Sequence, residues 1–246
     1  MIDPKAPMPS HPPDFRLGGY QAVNDRVDDQ FWQHIGIEED QLTVLAEHHT
    51  SDGRSSFFVL HNGAVTWGIP GEPQLVALYL QRDTVARTFR FDHAELPLPV
   101  MAQSWLIARG YPEEKILLPE RLGGTPSDDA TRALEARLRG DGDHFALLTS
   151  YTRDDEPFQT TVLLRALDER VPLPFRVLLE EVDTDTWTRT LREGGFATFE
   201  AATTWWEAHW SGEDVPLPTT SPTTRHSTPP AAAASAVPPS PRRPGH

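Results

Sequence analysis

The groups able to do chemistry sit in a few short clusters. Asp92-His93-Ala94-Glu95 is the most metal-like, because imidazole and carboxylate are good donors for zinc and other divalent ions. It follows a run read as a strand and precedes a helix, where loops often present functional groups. Neighbours along a loop point different ways, so Asp92, His93 and Glu95 would need a further ligand from elsewhere. The plainer account is a strand-end turn with a solvated acidic patch. Glu180 and Glu181 interrupt an otherwise apolar run. A glycosidase needs two carboxyls across a cleft, the acid's pKa raised by burial. On a strand these two face opposite sides, so one of them can point inward. In the pair His48-His49, one imidazole is a candidate general base near neutral pH. Trp205 and His209 lie about one turn apart on an expected helix. If Trp206 and Trp210 face the core, Trp205 is at the edge and, beside His209, a candidate contact for a partner or ligand; the plainer account is a wide buried face that takes in Trp205 too.

The familiar signatures are missing: no Gly-x-Gly-x-x-Gly, no Walker loop, no Gly-x-Ser-x-Gly elbow, no His-Glu-x-x-His and no EF-hand loop. No cofactor is expected. With no cysteine in the chain, disulfides, thiolate metal sites and cysteine nucleophiles are excluded.

The elements that must position these groups repeat. Residues 40–60 overlay residues 143–163 at a constant offset of 103. In each copy an apolar run ends in a turn-forming stretch (Thr50-Ser-Asp-Gly-Arg, Arg153-Asp-Asp-Glu-Pro), and a second apolar run follows. Before the first hairpin a helix is expected over 23–37, with Val27, Phe31 and His34 on one face. After it come strands at 65–69, 75–81 and 88–92, then a helix opening at Pro97 or Pro99 and stopping at Gly110. Ser127 is the expected N-cap of a helix ending at Gly140. The second half adds a hairpin of 175–182 with 187–192, a break at Gly194-Gly195, and a last helix capped by Thr198.

Composition sets the limits. Residues 1–14 contain five prolines, and the chain beyond Val215 is mostly Pro, Thr, Ser and Ala. Such segments cannot bury enough surface to offset the entropy of ordering them. The expected organisation is a disordered arm over 1–16, one domain over 17–214 with half-repeats of about 40–110 and 143–212, and a disordered tail over 215–246. Residues 1–214 hold 19 basic and all 36 acidic residues, a balance of −17. That field repels nucleic acid and anionic membrane and favours a basic protein partner. The start, Met1-Ile-Asp-Pro-Lys, does not read as a secretory signal, and no apolar stretch approaches a bilayer span, so the expected compartment is the cytoplasm. Arginine far outnumbers lysine, the mark of a GC-rich genome rather than of a function.

The run Thr190-Leu-Arg-Glu-Gly-Gly-Phe-Ala-Thr-Phe-Glu-Ala-Ala-Thr-Thr-Trp-Trp is a strand followed by Phe-x-Thr-Phe opening a final helix. In this it resembles the SUKH superfamily, many of whose members are immunity proteins against bacterial toxins. The superfamily's opening, a helix followed by Leu-Pro-x-x-Tyr, has no counterpart here. The chain as a whole resembles actinobacterial proteins, a likeness that carries no site with it.

The expectation is therefore an α+β domain: an antiparallel sheet from two similar hairpin-plus-helix halves, with helices mainly on one face. Its expected role is non-catalytic binding of a basic protein, immunity-type neutralisation being one example. The alternative is a hydrolase acting on glycans or through a metal site.

Overall fold

Two five-stranded sheets, one from each half of the chain, carry the architecture in the computed structural model. It describes residues 12–218 apart from 69–70, 117, 119–123, 143, 154–155 and 169. The first half runs β1 (Gln21–Ala22), α1 (Asp25–Phe31), β2 (Leu42–His49), β3 (Ser55–Asn62), α2 (Gly63–Gly68), β4 (Leu75–Asp83), β5 (Thr88–Leu96) and α3 (Pro99–Ile107). The second runs β6 (Thr125–Pro126), α4 (Asp129–Arg139), β7 (Phe145–Arg153), β8 (Phe158–Ala166), β9 (Phe175–Asp183), β10 (Thr188–Phe196) and α5 (Phe199–Trp210). The sheet orders are β1-β5-β4-β3-β2 and β6-β10-β9-β8-β7. In each, only the short first strand pairs in parallel.

The α+β class and the two similar halves are as the sequence led us to expect, and the likeness extends to local chemistry. β7 and β8 begin 103 residues after β2 and β3 (145 against 42, 158 against 55). The register slips at Leu45 in one hairpin and at Leu148 in the other, the same offset. From β4 onward the offset is 100, because the first half's β3–β4 connection holds α2. Asp83 and Asp183 each accept two backbone N–H groups in the following turn, and Arg87 and Trp187 close those turns at φ 56° and 50°. Asn24 and Asp128 cap α1 and α4, accepting the N–H of Val27 and Thr131.

The helices do not lie mainly on one face; each sheet carries them on both. The reason is visible in β3, where Phe57, Phe58, Val59 and Leu60 are all buried, so both faces need cover. α1 covers Phe58, Leu60, Val76, Leu78 and Phe89, while α3 covers Phe57, Val59 and Ala77. α4 covers Val162, Leu164, Leu178 and Leu191, while α5 covers Leu163, Val177 and Phe196. Leu98 and Val100, at the start of α3, reach the second half's core, and Ser104 Oγ accepts the Gly142 N–H at 2.8 Å. α3 is thus enclosed on both sides, which suits its nearly all-apolar sequence. The positions of α5 that match Leu98, Val100 and Ser104 are Thr198, Glu200 and Thr204, all exposed.

Several local expectations change. Residues 65–69 were expected as a strand; Gly63–Gly68 is helical, and 69–70 lie outside the described residues. Gly194-Gly195 does not break β10, which runs to Phe196. Gly194 serves close approach: a Cβ there would stand 2.7 Å from Leu217 Cδ2. The N-cap of α4 is Asp128, not Ser127.

The expected disordered arm and tail lie partly outside the described residues, at 1–11 and 219–246. Within them, Phe15 is buried against Phe31 and Phe58. Buried Arg82 donates to the carbonyls of Phe15 and Arg16 and to Ser56 Oγ. Val215 and Leu217 pack on the core under α5.

Candidate functional site

Strand alternation separates Glu180 from Glu181. Glu180 shares the α4 side of its sheet with Leu178, and Glu181 faces α5, where its Oε1 accepts from Gln159 Nε2 at 2.9 Å. They therefore do not form a catalytic pair with each other. Glu180 is 8% exposed and lies at the edge of a cleft of about 660 Å³ between the halves, with Glu113, Glu114, Glu135 and Arg189 on its walls. Burial pushes its carboxyl up to about 7; Arg189 opposes that shift and Glu135 reinforces it.

Of the two placements open to Trp205, the helix edge and a wide buried face, the structure has the second. Trp205 is buried, its indole N–H shared between the carbonyls of Val215 and Pro216, while Trp206 and Trp210 are half-buried. The chain after α5 folds back over this face and encloses Trp205. His209 stacks on it at 4.8 Å and bonds Gln159 Oε1 at 2.8 Å. Burial lowers the pKa of His209, partly offset by Glu181. This pair is a packing unit joining α5 to the sheet. His49 is also engaged, its Nδ1 lying 2.6 Å from Ser56 Oγ.

The Asp92-His93-Glu95 cluster divides in two. Asp92 points to the α3 side and pairs with Arg109 at 2.7 Å, holding that guanidinium 3.5 Å over the Trp105 ring. His93 and Glu95 point to the α1 side, opposite Leu78 and Val76 in the register. There His34 joins them, its ring 4.4 Å from that of His93. One donor atom from each of His34, His93 and Glu95 lies within 4.8 Å of the others. Burial lowers the pKa of His93, helped by the neighbouring His34 charge and opposed by Asp92. Sequence reading placed His34 on the inner face of its helix but had no means of bringing it to β5.

The surface least expected from the sequence lies on the same edge of the molecule. α1 passes into a wider turn over Trp32–Gly36, in which the Ile37 N–H bonds the Trp32 carbonyl, an i→i+5 bond. The indole of Trp32 lies across Gly36, where a Cβ would stand 2.6 Å from its Cε3. Trp32 is 63% exposed and Ile37 62%. Asp25, Asp28, Asp29, Glu38, Glu39 and Asp40 flank them in the sequence, and Glu38 accepts from Asn62 Nδ2. Asp28 and Asp29 precede Trp32 by one turn, on its side of the helix. Among the described residues none of these six carboxylates forms an ion pair. Trp32 was legible only by exclusion, since it falls off the Val27, Phe31, His34 face.

No protein-family model, curated protein or solved structure matches the chain. Among the described residues no helix is long and apolar enough to cross a membrane.

Proposed function

We propose that this is a non-catalytic interaction protein that docks a basic protein partner through the α1 surface, immunity-type neutralisation being one form such a role takes. The observation that carries the reading is Trp32 and Ile37 standing exposed between the acidic pairs Asp28-Asp29 and Glu39-Asp40, which form no ion pair among the described residues. A large aromatic anchored over a glycine is the residue type that dominates binding hot spots. The surrounding negative charge steers and orients a partner bearing lysine and arginine around an apolar socket. A solubilising role alone would account for the carboxylates but not for a tryptophan and an isoleucine exposed beside one another.

The test compares the wild-type chain with W32A/I37S and with D28K/D29K, each immobilised and challenged with host lysate at low salt. The expected partner is basic, is retained by the wild type, and is lost by both variants. It is also released by 0.5 M salt, where the Debye length is roughly 4 Å. Retention that neither variant alters would remove the α1 surface from the function.

A second reading, a hydrolase acting on glycans, draws on Glu180, a carboxyl with a pKa of about 7 at the edge of a cleft. Its partner across the cleft would be Glu113 or Glu114. Hydrolysis of an oligosaccharide panel that disappears in E180Q, with the fold intact, would favour it. No turnover by the wild type would dismiss it.

A further inference from the structure

We propose that His34, His93 and Glu95 bind one first-row divalent cation, with zinc the best fit. The three donors come from two separate elements, the wide turn after α1 and the α1-facing side of β5, and their donor atoms gather within 4.8 Å. Two imidazoles and one carboxylate form a donor set that zinc accepts at about 2.0–2.2 Å, leaving a fourth position open. Donors around a tetrahedral ion at those bond lengths stand about 3.5 Å apart. Closing the set therefore asks a movement of about an ångström, and the exposed side chains of His34 and Glu95 can supply it by rotation. Since both are exposed, the fourth position faces solvent and is open to water.

The second half provides an internal comparison. Glu193 occupies the place of His93 in β10, and there the helix offers Arg137, which pairs with Glu193. Glu193 is bound by Arg176 as well, at 3.2 Å, so that site is a closed ion network. In the first half the same place holds no arginine among these residues; a second imidazole meets His93 instead. The place of Glu95 is taken by Gly195, which has no donor side chain. The cluster is therefore not something the repeated fold requires.

The helix geometry points the same way. The first half has one residue more than the second between its helix cap and its hairpin (24 to 42, against 128 to 145). An i→i+5 turn is how a helix takes up one extra residue, and such turns are frequent at functional sites. His34 lies within that turn.

The experiment uses the full chain without an affinity tag. Zinc is titrated in competition with a chromophoric chelator, and cobalt(II) is followed by its visible spectrum. We expect one zinc per chain and a cobalt spectrum of four- or five-coordinate type. H34A and H93A should each weaken zinc at least about a hundredfold, because losing even a supporting partner of a ligand costs roughly 10–100-fold. H144A, outside the cluster, should bind as the wild type does. Equal zinc affinity in the wild type and H34A would overturn the proposal, as would a cobalt spectrum that stays that of the hydrated ion. Should H93A fail to fold, H34A carries the test, since its side chain is exposed.

Discussion

Glu180 Oε2 lies 4.0 Å from Arg189 Nε, too far for a hydrogen bond, while Glu135 Oε1 takes the same nitrogen at 2.7 Å. The arginine is committed to Glu135 and to the Gly124 carbonyl, and Glu180 is left with burial as its dominant influence.

That geometry sets a pH dependence. The carboxyl of Glu180 is raised from 4.5 to about 7 in the folded chain, above its unfolded value. Its contribution to stability is therefore full below pH 4.5 and is lost as pH rises through about 7. E180Q keeps the shape and removes the charge, so it should be more stable than the wild type at pH 8 and should flatten the decline between pH 5 and 8. Urea unfolding at the two pH values measures this. Identical pH slopes for the two proteins would show that Glu180 ionises freely in the fold.

The segment after α5 is structural as far as Leu217. Truncation after Asp214 removes the apolar cover of Val215 and Leu217 and strips the Trp205 N–H of both its acceptors. A loss of about 1–3 kcal/mol is expected, from two half-buried apolar side chains and the hydrogen bonds of Trp205 given up to water. Truncation after Pro218 keeps all of these contacts and should leave the melting temperature unchanged. If both truncations melt alike, the segment does not hold Trp205.

The duplicated turns offer a direct test of the two halves. Asp83 accepts the N–H groups of Val85 and Ala86, and Asp183 those of Asp185 and Thr186, which holds both carboxyls below the usual range. D83A and D183A should lower the melting temperature by similar amounts, and the double variant by their sum, since the turns share no partner. Both effects should fade as pH falls through the depressed carboxyl values, where protonation takes the charge from these hydrogen bonds and weakens them in the wild type as well. Marked non-additivity would mean that the halves do not form independent turns.

The paired hairpins were legible because alternation and turn chemistry are local properties, and the constant spacing survived from 40–60 to 143–163. The two-sided cover of the sheets was written in Phe57-Phe58-Val59-Leu60, a run without alternation. Residues 65–69 misled because valine and threonine favour strands locally, whereas the chain there must turn between β3 and β4. Gly194 read as a breaker because its cause, the close pass of Leu217, lies more than twenty positions later. What encloses Trp205 was hidden for the same reason: the carbonyls that bind it belong to a segment whose composition reads as disordered. The meeting of His34 with His93 depends on one extra residue in a helical turn, which no periodicity reports.

Thr198, Glu200 and Thr204 leave α5 with a polar flank where α3 has an adhesive one. A half whose closing helix is apolar on both flanks, as α3 is, offers a surface to the next half. Placing leucine at 198 and valine at 200 would give α5 the adhesive flank of α3, a heterologous contact that need not close and so risks fibres. The exposed polar side chains at these positions withhold that contact from α5, as the polar outer faces of capping repeats do.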